Sequence, residues 1–243
     1  MRWTVLRTAT CTPYSQNGYL MRTKPWPAIT LLICAPILMN LAFTGLGVSF
    51  DYPDVLQSPA ADVLARFRAH QSTVVALFTL LAVAACAFGP LAVLVGRFDD
   101  SATMRWAVRA GIAAAVVQAV GLLRWPLLVP GLAADGTPES LDTFATLNTV
   151  LGTLVGETLG YALTAAWTAL VVTALRDRVP GWFAWLGYVS AAAIAVGVLA
   201  PIAEQAGLVN FVGYLLWSCW LLAFAVLLAR QGVMPRRVAS QGS

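Results

Sequence analysis

The chain has 243 residues, of which 59% are hydrophobic and 11% charged, with a net charge of +4. A soluble domain carries roughly 25% charged residues, so this chain cannot cover a water-facing surface, and a soluble enzyme is excluded. Its Lys and Arg residues stand in short runs between apolar segments, which is the pattern of membrane topology and not of a nucleic-acid-binding groove.

Residues 1–25 read as a polar, basic, disordered tail without a signal-peptide apolar region. Within it Met21, ahead of Arg22 and Lys24, offers a second start. Residues 26–230 read as one membrane domain, and residues 231–243 as a second disordered tail. Six stretches reach the ~20 apolar residues that a helix needs to cross a hydrocarbon core. They are Ala28–Phe50, Thr73–Val95, Trp106–Val129, Leu151–Leu175, Trp182–Ala203 and Leu208–Ala229. The predicted fold is all-α: an integral membrane bundle of about six transmembrane helices, arranged as three hairpins that open outward.

With the amino terminus in the cytoplasm, 12 of the 15 Lys and Arg residues fall on the cytoplasmic side and only Arg66, Arg68 and Arg124 remain outside. That asymmetry predicts a multi-pass protein of the cell membrane with both termini cytoplasmic.

The first outer loop holds Ser58-Pro59-Ala60-Ala61-Asp62, which reads as a helix start capped by Ser58 with proline in the first turn. Val63, Leu64 and Phe67 follow on one face, predicting an amphipathic helix on the outer interface. The second outer loop, Pro138 to Asn148, repeats this layout with Leu141, Phe144 and Leu147. Asp51 and Asp54 flank Tyr52-Pro53, which reads as a turn. Asp99 and Asp100 read as a solvated cytoplasmic loop.

Ionisable groups within a span cost about 2.5–3.5 kcal/mol each at the helix centre, so Arg124 and Glu157 stand out. Arg124 lies six residues before Pro130, roughly 9 Å below the outer end of its span at 1.5 Å per residue. Glu157 lies at a similar depth in the next span, and an Arg124–Glu157 ion pair is expected. The fourth span carries a polar or small face, Thr153, Glu157, Gly160, Tyr161, Thr164 and Thr168, at spacings of three or four. Val155, Leu159, Leu163 and Leu170 point the other way. The sixth span has a comparable stripe of Asn210, Gly213, Tyr214 and Trp217, and the first adds Asn40, Thr44 and Asp51. Glu204 and Gln205 lie at the outer end of the fifth span, His70 and Gln71 at the outer start of the second.

Most of these groups sit in the outer third of the membrane. One reading is a cavity open to the outer face, its ligand-binding residues being Arg124, Trp125, Glu157, Tyr161, Asn210, Tyr214 and Trp217, with Glu157 and Glu204 as the catalytic candidates. The plainer reading is a set of buried polar groups and interfacial aromatics that hold the helices in register.

His70 is the single histidine and reads as an interfacial residue; alone it cannot build a His-rich catalytic metal site. Cys11, Cys34, Cys86 and Cys219 share no ligand spacing, and the three in apolar runs read as small core residues. No phosphate loop, dinucleotide fingerprint, nucleophile elbow or zinc-protease motif is present. Neither a metal nor a cofactor is expected.

Gly121-Leu122-Leu123-Arg124-Trp125-Pro126, Gly156-Glu157 through Gly160-Tyr161, and Asn210 through Gly213-Tyr214 and Trp217 resemble a family of small bacterial polytopic membrane proteins, a domain of unknown function numbered four-three-eight-six. Asp51-Tyr52-Pro53 and the amphipathic segment after it fit as well. The resemblance spans roughly residues 30–230 and implies a bacterial six-span bundle; it implies no activity.

Three functions follow as expectations. The first is a non-catalytic membrane protein binding a lipid or small lipophilic ligand, or supporting a partner complex. The second is an embedded acid–base enzyme on a lipophilic substrate such as an isoprenoid, with a carboxyl group to protonate it and aromatic walls for the carbocation. The third is a transporter. A cavity of roughly 300 Å³ or more would favour a ligand site.

Overall fold

The computed structural model describes residues 25–231, apart from the side chains of Glu204 and Gln231. The predicted tails beyond Pro25 and Gln231, Cys11 and the second start at Met21 lie outside the described residues. Within them the chain is helical and no strand occurs. In chain order the helices are α1 (Trp26–Phe50), α2 (Ala60–Ala69), α3 (Gln71–Gly96), α4 (Ala102–Leu127), α5 (Val129–Asp135) and α6 (Pro138–Leu147). A π-helical segment (Asn148–Leu159) runs directly into α7 (Gly160–Leu175), and α8 (Gly181–Val196) and α9 (Glu204–Gln231) follow. Six of these helical stretches are long and apolar enough to cross a membrane.

Local chemistry sets the ends. Ser101 caps α4 by accepting from Met104 N–H at 3.2 Å, and Thr137 caps α6 by accepting from Ser140 N–H at 3.2 Å; each satisfies an orphan donor of the first turn. Gly136, at φ 63°, ends α5 in the left-handed region open to glycine. Ser58 does not cap α2 as predicted. Pro59 takes that position with no side-chain bond, and the chain enters α2 from the short 3-10 turn Asp54–Gln57.

The six long helices form a closed ring in which each packs on its neighbours in sequence and α1 meets α9. Consecutive helices run antiparallel: Gly96 abuts Val108 while Gly89 abuts Ala115, and Gly197 abuts Asn210 while Gly213 abuts Ile194. The ring closes through Asn40 Nδ2, which donates to Ser218 Oγ at 2.9 Å, and through Phe43 against Phe211. Small residues at these crossings let backbones approach closely, as packing without a hydrophobic driving force requires.

One end of the ring is capped by α2, α5 and α6, which pack on each other. Their apolar faces are spent on protein: Val63, Leu64, Phe67 and Phe144 are all buried. Arg68 Nη1 donates to the Ala133 carbonyl at 2.8 Å, tying α2 to α5. Trp125 is the post beneath this cap, stacked on Phe78 at 4.6 Å and edge-on to Phe50 at 5.2 Å. Phe67 and Phe144 complete its cage.

The opposite end is basic, with Arg97, Arg105, Arg176, Arg178 and Arg230 in or beside its loops. Asp99 accepts from Arg178 Nη2 at 2.7 Å and from Ser101 N–H at 3.1 Å, and Arg178 Nη1 donates to the Phe98 carbonyl at 2.9 Å. That loop is latched, not merely solvated as predicted. A second aromatic core fills this half: Phe88, Trp167, Phe183, Trp217, Trp220 and Phe224.

The outer wall of the ring is also apolar. Trp26, Trp106, Trp182 and Trp185, each more than half exposed, lie near the helix ends at the basic end. Cys34, Cys86 and Cys219 are exposed on the outer wall, not in the core as predicted. An apolar run suits lipid as well as core, so sequence cannot separate the two sides.

Candidate functional site

The capped half of the ring gathers most of the polar residues singled out from sequence. Its geometry starts from α4, where Gly121 lets the π-helical segment approach to backbone contact. A methyl at Gly121 would stand 2.6 Å from Gly156 Cα and 2.9 Å from the Leu151 carbonyl oxygen. One turn further along α4, Arg124 is 4% exposed. Its Nη1 donates to the Gly121 carbonyl and its Nη2 to Asn148 Oδ1 at 2.9 Å, while Nε has no partner. Gly152 makes the space: a methyl there would lie 2.8 Å from the guanidinium carbon.

The expected Arg124–Glu157 ion pair does not form: Arg124 is met by the Gly121 carbonyl and Asn148. The cause is local winding. The segment from Asn148 to Leu159 is π-helical, with i→i+5 bonding and a wider turn than the 3.6-residue spacing assumes. The residue that reaches Arg124 is therefore Asn148, and the Glu157 side chain makes no hydrogen bond or ion pair among the described residues.

Glu157 instead exerts its field on three phenols, Tyr52, Tyr161 and Tyr214, and on the Arg124 guanidinium. Tyr161 and Tyr214 are ring neighbours, with centroids 5.8 Å apart. Glu157, Tyr52, Tyr161 and Tyr214 are each half-buried.

The remaining candidates are frame. Trp125 and Trp217 are buried, and Trp217 Nε1 donates to Thr168 Oγ1 at 2.8 Å. Asn210 Nδ2 donates to the Ile194 carbonyl at 2.9 Å, where Gly197 leaves room for it. The polar face of α7 is turned inward as its spacing predicts: Thr164 and Thr168 are buried and hydrogen-bonded. Glu204 opens α9, and its side chain lies outside what is described. Thr44 faces away from the ring, and His70 is exposed at the junction of α2 and α3.

Two residues escaped the sequence reading. Gln118 Nε2 donates to Thr164 Oγ1 at 2.8 Å across the ring; an amide on the packed face of a span is the signal that points to it. Tyr52 lies in the expected turn, and the contact that was missed is its ring, edge-on against Phe78 at 5.3 Å. The ring interior next to Gln118, Tyr214 and Trp217 holds a space of about 40 Å³, room for about one water and far below the size expected of an enclosed ligand cavity. A groove of about 270 Å³ lies at the rim between Ser49, Asp51, Arg66 and His70.

A closed ring of six long apolar helices, with an apolar outer wall and polar groups turned inward, is a multi-pass integral membrane protein. The family described as Domain of unknown function (DUF4386) matches residues 29–225, and the chain belongs to that family. Neither the curated proteins nor the solved structures include a match to it.

Proposed function

We propose that this protein binds the polar end of a lipid or other small amphiphile in the recess around Glu157, Tyr161 and Tyr214. Arg124 and Tyr52 border the recess, and Trp125, Asn210 and Trp217 frame it. In this reading the basic end faces the cytoplasm, as the positive-inside asymmetry requires. The capped end faces outward, with α2 and α6 at the outer interface, and the recess opens to the outer side. The tryptophans at the basic end then form the inner aromatic belt.

The observation that carries the reading is the Glu157 carboxyl group. It lies within a span and is half-buried, without a hydrogen bond or ion pair among the described residues. An ionisable group at such depth costs about 2.5–3.5 kcal/mol, and a partner from outside the chain offsets that cost. π-Helical turns within α-helices mark functional sites often enough to add weight. The test is to purify the protein in a mild detergent and weigh the lipids that leave with it. One lipid class enriched on the wild type and lost from Glu157→Gln supports the reading; a lipid profile identical to that of the membrane for both removes it.

A carboxyl group without an ion-pair contact also suits proton transfer, so the same observation favours acid–base chemistry as the second reading. Glu157 would protonate an alkene or epoxide, and the tyrosine rings would stabilise the cation that forms. Recovery of a chemically altered lipid from the wild type, and of the unaltered lipid from Glu157→Gln, would select this reading over binding alone.

A further inference from the structure

The groove of about 270 Å³ at the capped rim lies where the end of α1, the last turn of α2 and the start of α3 meet. Its charged walls are Asp51 and Arg66, with His70 beside them. Arg66 Nη1 meets Asp51 Oδ2 at 3.1 Å, but both side chains are more than half exposed. An ion pair so open to water contributes little to the fold, and its two ends can take other partners at small cost. His70 precedes α3 without a side-chain bond to the helix start, so its ring is not spent on capping. Asp51 ends α1 at φ 58°, a left-handed conformation where glycine is the usual residue. A carboxylate kept at such a position points to a use for it.

The groove also has an apolar edge, Val48, which is 87% exposed. Val48 tops a stripe on α1 with Ile33, Ile37 and Leu41, all exposed and at helical spacing on the outer wall. Ions above and an apolar track below are the two halves of a lipid site. We infer that this groove binds a phospholipid whose headgroup carries an amine, with the phosphate between Arg66 and His70, the ammonium on Asp51 and an acyl chain along the stripe. The guanidinium fork suits phosphate oxygens, and imidazole donates an N–H in either charge state. Asp51 sets the choice of headgroup: it attracts an ammonium and repels a headgroup whose only charge is the phosphate. The stripe selects a lipid over a soluble phosphate, which would leave it unused. This site is separate from the recess around Glu157 and does not depend on it.

The test titrates the full chain in maltoside detergent by calorimetry. The probes are dihexanoyl phosphatidylethanolamine, dihexanoyl phosphatidylglycerol and free glycerophosphoethanolamine. The first should bind at least about tenfold more tightly than either of the others. Asp51→Asn keeps a residue that tolerates the left-handed conformation and should abolish the preference between the two lipids. Arg66→Gln should weaken phosphatidylethanolamine binding by at least about tenfold. Neither residue belongs to the recess, so a loss in these variants reports on the groove, and unfolding midpoints in detergent verify that both variants are folded. Equal affinity of the wild type for the two lipids, a preference that survives in Asp51→Asn, or binding indifferent to Arg66→Gln would overturn the site. Glycerophosphoethanolamine binding as tightly as its lipid would overturn the lipid as occupant.

Discussion

Gly121 of α4 and Gly156 of the π-helical segment meet backbone to backbone: a methyl built on Gly156 would lie 3.0 Å from Gly121 Cα, and one built on Gly121 only 2.6 Å from Gly156 Cα. No side chain separates the two helices at this level. The contact holds the wide turn of the segment against α4, and with it the positions of Asn148 and Glu157 on either side.

Gly121→Ala should therefore force the segment away from α4. Overpacking of this kind costs about 1–3 kcal/mol. The measurement is thermal unfolding in detergent, and Gly131→Ala, where a methyl meets nothing within 4 Å, is the control that should leave the transition unmoved.

Arg124 takes its side-chain partner from Asn148, not from Glu157. Hydrogen bonds to charged groups contribute about 1.5–3 kcal/mol, so Asn148→Ala should cost that order of stability. A double-mutant cycle should show coupling for Arg124 with Asn148 exceeding that for Arg124 with Glu157. Exchange of the two charges, Arg124→Glu with Glu157→Arg, should restore no folded protein beyond the single variants.

Trp125 joins ring to cap through Phe50, Phe67, Phe78 and Phe144. Trp125→Ala should cost about 3–5 kcal/mol. It should also expose the segments on either side of α2 and α5 to limited proteolysis before the long helices are cut.

At the basic end, burial pushes the Asp99 carboxyl group up, but the bonds from Ser101 and Arg178 outweigh it and hold the group below the ordinary carboxylate value. A depressed folded value means stabilisation that is fully present above the ordinary value of about 4 and lost as pH falls through the lower one. For a pair near the surface it is worth no more than about 1 kcal/mol. Unfolding midpoints followed from pH 7 down to pH 3 (about one unit below that value) should drop further in the wild type than in Asp99→Asn.

The six spans were legible in sequence because hydropathy over about 20 residues needs no knowledge of partners. The inward polar face of α7 was legible from its period for the same reason. The winding from Asn148 to Leu159 was not, since α and π turns draw on the same residues and differ only in which carbonyl each N–H selects. That difference moved Asn148, and not Glu157, onto Arg124. The break at Leu128 that separates α5 from α4 was also hidden, because the apolar run continues through it. Tyr52 shows a further limit of local reading: its ring packs on Phe43 and Phe78, a tertiary contact that turn chemistry does not encode.

The most direct measurement places one cysteine at the wall of the recess. In a background with Cys11, Cys34, Cys86 and Cys219 replaced by alanine, Glu157→Cys is treated in intact cells with a membrane-impermeant thiol reagent. An open, water-reached recess on the outer side predicts rapid modification that slows when dihexanoyl phosphatidylcholine is added. A thiol that reacts only after the protein is denatured would mean that Glu157 sits in a closed core, and the recess would not exist.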